Sequence, residues 1–215
     1  KEAFETVKEA VKNGIITRET LEEKVDRINK AKEKVLPYLE KYFDDKDYLV
    51  IQEEHNLMQE IVDNSYTLIK GTSPHITDKT LIISSNAKVG SIVEDEFDDR
   101  NLTNALKHNF PNNLVLKFKS DLSFKEEILN IIDNYDNIIF YSYDAYSDEI
   151  QKDLINTLLN TDKEVFIVSI KGPIDMPYFK NLKHYACLYE YTPNSIKTII
   201  KQLNNEITLN GKLPL

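Results

Sequence analysis

The sequence predicts a doubly wound α/β sandwich from about residue 48 to residue 215. It should have three layers around a mainly parallel sheet of roughly five to six strands, with helices ahead of it. Three observations predict this. Short apolar runs at Ile138–Tyr141, Val165–Val168 and Tyr185–Leu188 have the length of buried strands. Between the first two lies a helical stripe of Ile150, Leu154, Ile155, Leu158 and Leu159, as a crossover helix requires. Each run also ends in polar or turn residues: Ser142-Tyr143-Asp144, then Ser169 with Lys171-Gly172-Pro173, then Tyr191-Thr192-Pro193. In open parallel sheets the rim at the strands' carboxyl ends is where ligands usually sit.

Taken in order, residues 1–36 read as helix, turn, helix. Phe4, Val7, Ala10 and Val11 line a short stripe, and Asn13-Gly14 is a turn signal. Thr17 can cap a second helix whose apolar positions are Leu21, Val25, Ile28, Ala31 and Val35. Pro37 is expected to interrupt that helix, and the polar stretch Asp44-Asp45-Lys46-Asp47 to mark a boundary. A third helix carries Leu57, Met58, Ile61 and Val62, and Ser65–Lys70 reads as a strand. Lys79–Ser84 is the next strand, ending at Ser85-Asn86. The acidic run of Glu94, Asp95, Glu96, Asp98 and Asp99 lacks the loop glycine and spacing of a calcium loop and reads as a solvated helix start. A helix with Leu102, Ala105 and Leu106 leads to a strand at residues 113–117. Ser123 and Glu126 have capping-box spacing ahead of Ile128, Leu129, Ile131 and Ile132. Thr192-Pro193 should start the last helix, with Ile196, Ile199, Ile200 and Leu203.

The totals exclude several functions. A formal net charge of −9 over 215 residues argues against a general nucleic-acid or anionic-membrane binder. No apolar run is long enough to cross a bilayer. The single cysteine, Cys187, lies in an apolar run and reads as a buried thiol with no partner inside the chain. His55, His75 and His184 show no metal-ligand spacing, so neither a metal nor a cofactor is expected. There is no G-x-S-x-G elbow, and Gly71-Thr72-Ser73 is too short and glycine-poor for a phosphate loop. A receiver domain would need an acidic pair after its first strand, where Lys70-Gly71 or Ser85-Asn86 stands instead.

The pattern of residues 144–175, with Asp144-Ala145-Tyr146, Gln151 and "LINTLLNT", followed by "YEYTP" at 189–193 and "NGKLP" at 210–214, resembles the C-terminal α/β domain of family 3 glycoside hydrolases. The branch it is most similar to is the bacterial β-N-acetylhexosaminidases. "VKNGIITRETLEEKVDRINKAKEKV" is similar to the last helices of that family's catalytic (β/α)8 barrel, and "VDNSYTLIK" extends the match.

The resemblance implies that residues 1–47 are a helical tail and linker of a barrel encoded upstream, and that residues 48–215 are the C-terminal domain. The opening at Lys1, within a helical pattern, is expected of a piece of a longer protein. The parent would remove terminal N-acetylglucosamine from cell-wall fragments or glycans, in the bacterial cytoplasm or after secretion. In that branch the catalytic aspartate and histidine belong to the barrel, so no catalytic residue is expected here. Lys107-His108-Asn109-Phe110-Pro111-Asn112 superficially echoes the barrel's catalytic loop, but lacks its glycine and second histidine, and His108 reads as a helix-end residue.

The rim residues Ser142, Asp144, Lys171 and Tyr191, with Tyr146 and Ser169, are the candidates to contact a ligand, carbohydrate included, or the barrel. Strand-end capping accounts for the same positions. The alternative to the hydrolase reading is a stand-alone flavodoxin-like module that binds a small ligand or a protein at this rim. Exposed apolar stripes on the N-terminal helices would also offer a homodimer contact.

Overall fold

A computed structural model describes residues 2–44, 52–85 and 101–213. The chain divides into two compact units, Lys1–Gln52 and Glu53–Leu215. The expected break at 45–47, the residue Asn86 and the acidic run at 94–99 lie outside the described residues.

The first unit holds α1 (Glu2–Lys12) and α2 (Arg18–Asp44). Gly14 supplies a left-handed residue (φ +69°) to the turn between them. The Thr17 hydroxyl accepts the Thr20 N–H at 3.1 Å, as the cap reading required. Pro37 does not end α2, which runs through it to Asp44. The neighbouring side chains are exposed, so the carbonyl that loses its intrahelical donor can bond water instead. Val25, Ile28 and Val35 remain 47%, 52% and 50% exposed.

The second unit holds α3 (Gln52–Ser65) from its second residue on and continues as β1 (Thr67–Lys70), β2 (Thr80–Ser84), α4 (Leu102–Asn109), β3 (Leu114–Lys117), α5 (Leu122–Ile131), β4 (Asn137–Ser142), α6 (Glu149–Leu159), β5 (Glu164–Ser169), β6 (His184–Cys187) and α7 (Pro193–Leu203). The six strands lie in the order β1-β6-β5-β4-β2-β3. All neighbours are parallel except β1 and β6, so the expected α/β sandwich with a mainly parallel sheet is what forms. Strand alternation divides the core. Ile83, Ile138, Phe140 and Ile167 face Phe124 and Ile128 of α5 and Leu154 and Leu158 of α6. Ile82, Ile139, Phe166 and Val168 face Leu102 and Leu106 of α4 and Ile196 and Ile199 of α7.

Two helix details differ from the sequence reading. The cap of α5 is Asp121, whose Oδ1 accepts the Phe124 N–H at 2.7 Å, while Ser123 sits inside the helix and donates to that carboxylate. An ionised carboxylate is the stronger acceptor and takes the capping role. In α3 the stripe is rotated: Val62 is buried, whereas Leu57, Met58 and Ile61 are over half exposed. The packed side of α3 is instead polar.

There Asp63 accepts from Gln59 Nε2 at 2.8 Å and Thr198 Oγ1 at 2.5 Å, and pairs with Lys201 Nζ at 2.6 Å, tying α3 to α7. Burial alone would raise the Asp63 pKa, but these donors, Lys201 foremost, hold it below the usual 3.8. The stability this confers is complete above pH 3.8, the unfolded value, and is lost as pH falls through the lower folded value. Asp63→Asn should therefore melt below the wild type at pH 7, by about 1–2 kcal/mol, and the gap should narrow below pH 4. Paired melting curves at the two pH values check this.

Candidate functional site

The parallel strands run β3-β2-β4-β5-β6, so the topological switch lies between β2 and β4, which lead to crossovers on opposite sides. The carboxyl ends there are Ser84-Ser85 and Ser142-Tyr143. This crevice is closed by Gln151 of α6, which is 1% exposed. Its Oε1 accepts from Ser85 Oγ at 3.0 Å and from the Tyr143 N–H at 3.1 Å. Its Nε2 donates to the Tyr143 carbonyl at 3.2 Å. Asp148, the N-cap of α6, sets the position of Gln151 by accepting its backbone N–H at 3.0 Å and holds Ser120 Oγ at 2.8 Å.

One step along the rim, Asp175 is 2% exposed, on the 3-10 turn Pro173–Tyr178 that follows β5. Its Oδ2 accepts the Ala145 N–H at 3.2 Å and its Oδ1 the Tyr146 N–H at 3.1 Å. Ser142 Oγ and Ser169 Oγ each reach Oδ2 at 3.4 Å. Burial raises the Asp175 pKa against the opposing pull of the two amides, and the nearby Asp144 charge adds to the rise. This carboxylate shapes the turn Ala145–Ser147 and thus the preceding Asp144, which adopts a left-handed φ of 48°. That conformation is open to aspartate at modest cost when its surroundings fix it.

The four rim candidates do not form one constellation. Ser142 is fully buried and serves Asp175. Asp144 and Lys171 pair at 2.6 Å, and the Lys171 ammonium lies 5.5 Å from the centre of the Tyr143 ring. The Asp144 hydrogen bond raises the Lys171 pKa. Tyr191 stands apart, its hydroxyl accepting the first N–H of α4, at Leu102, at 3.0 Å. Burial raises its pKa and keeps it a neutral phenol. Ser169 donates to the Gly172 carbonyl at 2.6 Å. Sequence reasoning missed Asp175 and gave Gln151 no role. The available signal for Asp175 was an acid just after Gly172-Pro173, within reach of two serine-ended strands.

Elsewhere, His108 is exposed in the last turn of α4, as expected of a helix-end residue. His184 Nδ1 accepts the Thr72 N–H at 3.0 Å, made possible by Gly71, where a Cβ would meet the Lys183 carbonyl at 2.3 Å. Among the described residues no group of three His, Cys, Asp or Glu side chains could hold a metal, and no helix is long and apolar enough to cross a membrane. Cys187 is buried, and burial pushes its thiol up to about 12, which leaves it a poor nucleophile.

No family model matches the sequence, and no curated protein does. Solved structures do. A glycoside hydrolase family 3 β-N-acetylglucosaminidase from Paenibacillus sp. str. FPU-7 superposes with a TM-score of 0.70 at 23% identity, over 95% of this chain and 41% of that one. A fungal multi-domain GH3 β-N-acetylglucosaminidase gives a TM-score of 0.63 at 19% identity, over 99% of this chain and 25% of that one. The β-glucoside phosphorylase BglX gives 0.53 at 21% identity, over 98% and 41%. In fold, the chain is thus the counterpart of the C-terminal part of family 3 β-N-acetylglucosaminidases, and it spans about two fifths or less of the length of the proteins it matches.

Proposed function

We infer that this chain is the non-catalytic C-terminal portion of a glycoside hydrolase whose parent removes terminal N-acetylglucosamine from cell-wall fragments or glycans. Residues 1–47 are the tail of the parent's catalytic barrel and its linker, and residues 48–215 the domain beside it. The observation that carries this reading is the uneven coverage: nearly all of this chain aligns, with less than half of a family 3 enzyme. The rim supports the non-catalytic part. Glycoside hydrolysis needs two carboxyl groups, or a carboxylate and another acid, flanking a sugar bond. The rim carboxylates Asp144 and Asp175 are committed to Lys171 and to backbone amides.

The barrel is the first partner, and the half-exposed apolar residues of α2 are a surface it would cover. Two copies of the chain would meet through the same residues where no barrel covers them.

The flavodoxin-like alternative draws on the strand order, which is that of flavodoxin-type sheets. Gln151 weighs against it, because it occupies the crevice in which such a module would hold its ligand.

The test is an activity comparison. The purified 215-residue chain should leave a chromogenic N-acetylglucosaminide unhydrolysed, and the protein read from the upstream gene, with about 250 more residues of barrel, should turn it over. Turnover by the 215-residue chain, abolished in His108→Ala, would overturn the reading.

A further inference from the structure

The chain carries two Asn-Gly pairs, Asn13-Gly14 and Asn210-Gly211, and the fold treats them oppositely. Asparagine before glycine is chemically labile, because no side chain shields the glycine nitrogen from the neighbouring amide carbon. Asn13 and Gly14 are both exposed, in the turn that joins α1 to α2. A Cβ on Gly14 would meet nothing within 4 Å, and the side-chain amide of Asn13 has no hydrogen bond among the described residues. One bond restrains the Gly14 nitrogen, its N–H donating to the Val11 carbonyl at 3.1 Å. Bonds of that kind, at the exposed end of a helix, are among the first to open in local unfolding. The second pair is locked. The Gly211 N–H donates to the Tyr66 carbonyl at 3.0 Å, and Gly211 lies so close to the Ser65 carbonyl that even a Cβ has no room. Asn210 Oδ1 accepts from Thr208 Oγ1 at 3.1 Å.

We propose that Asn13 is a deamidation site, and that its conversion to isoaspartate unravels the turn between α1 and α2. Hydroxide takes the Gly14 amide proton and the nitrogen bonds to Asn13 Cγ. The Cγ–Nδ2 bond breaks, and the leaving group departs as ammonia with a proton from water. A second water opens the cyclic imide at either carbonyl. One opening gives aspartate. The other gives isoaspartate, whose main chain runs through Cβ and Cγ. Both put a carboxylate at the C-terminal end of α1, where the helix dipole disfavours negative charge. Isoaspartate also lengthens the main chain by one carbon within a closed set of turn bonds. The Asn13 N–H donates to the Glu9 carbonyl at 2.9 Å, and the Ile15 and Ile16 N–H groups donate to the Ala10 carbonyl at 2.9 and 3.1 Å. These bonds cannot all keep their length around the longer chain. The reagent is water alone, so the fold selects which asparagine reacts.

The purified 215-residue chain is held at mildly alkaline pH, native and in guanidinium chloride. It is then digested and read by mass spectrometry and by isoaspartyl methyltransferase labelling. In guanidinium chloride both pairs should convert at like rates, so that a native difference reports the fold. In the native chain Asn13 should convert at least about tenfold faster than Asn210, for which a difference of about 1.4 kcal/mol in local opening suffices. Asn13→Gln should remove the label from that peptide. Helical circular dichroism should fall as isoaspartate accumulates, whereas Asn13→Asp, which adds the charge without the extra carbon, should keep most of it. Native Asn13 converting no faster than Asn210, or isoaspartate-bearing protein as helical as Asn13→Asp, would overturn the proposal. Neither result touches the hydrolase reading, which stands or falls on the turnover of the barrel-bearing protein.

Discussion

Asp175→Ala should destabilise the second unit by about 3 kcal/mol or more, the largest loss expected of any single rim substitution. Three donors converge on this carboxylate: two backbone amides at 3.1 and 3.2 Å and the Ser142 hydroxyl at 3.4 Å, while Ser169, equally near, gives its one proton to the Gly172 carbonyl. Alanine removes all the acceptors at once, at a site that is 2% exposed. The Ala145 amide is buried as well, so water cannot replace the lost bond without the turn opening. For a domain of this size, 3 kcal/mol corresponds to roughly 6–12 °C in Tm. Asp175→Asn should lose less. Its one oxygen can accept a single amide, while its NH2 group faces the other donor. The pH dependence separates the charge from the bonds. Because burial raises the Asp175 pKa, the folded state holds this proton more tightly than the unfolded chain does. That contribution favours folding below pH 3.8 and is lost as pH rises through the higher folded value. The stability difference between Asp175→Asn and wild type should therefore depend on pH, with a sign opposite to that of Asp63. Urea titrations across pH 4–7 measure it, and an Asp175→Ala protein as stable as wild type would remove Asp175 as the organiser of the rim.

The sheet was legible in the sequence for a definite reason. Buried parallel strands are continuous apolar runs, so Ile138–Tyr141 and Val165–Val168 announce themselves, and β4 and β5 exceed those runs by one residue at each end. The Thr192-Pro193 start of α7 was equally visible, since both the cap and the first-turn proline are local chemistry. What escaped was set by tertiary partners. Whether Leu57 or Val62 faces the sheet depends on the polar knot of Gln59, Asp63, Thr198 and Lys201, which joins residues about 135 positions apart. Ser123 looked like a cap because Glu126 stands three residues on, but Asp121, two residues earlier, caps the helix through the Phe124 N–H and takes the Ser123 hydroxyl as a donor. The rim was correct as a place and incomplete as a set. Position identifies Asp144 and Lys171, which do pair, but a buried hub such as Asp175 or Gln151 is defined by what it accepts from distant backbone. No periodicity records that.

Gln151→Glu tests the closed switch point most sharply, because it changes one atom and makes stability depend on pH in a fixed direction. In the wild type the side-chain oxygen takes two donors, Ser85 Oγ and the Tyr143 N–H, and the nitrogen gives a proton to the Tyr143 carbonyl. A glutamic acid can repeat all three bonds only while protonated. Ionised, it turns a lone pair toward the Tyr143 carbonyl and buries a charge with no cation among these partners, at a cost of several kcal/mol. Its folded pKa must then lie above the unfolded value near 4.3. Stability is retained below the unfolded value and lost as pH rises through the folded one. The variant should match the wild type within about 1 kcal/mol near pH 4 and fall about 3 kcal/mol or more below it by pH 8, each comparison made at one pH so that general acid effects cancel. Gln151→Leu, which has neither donor nor acceptor, should lose stability at both pH values alike. If Gln151→Glu showed no such dependence, the crevice would be hydrated and open, and the objection to a ligand at the switch point would fall with it.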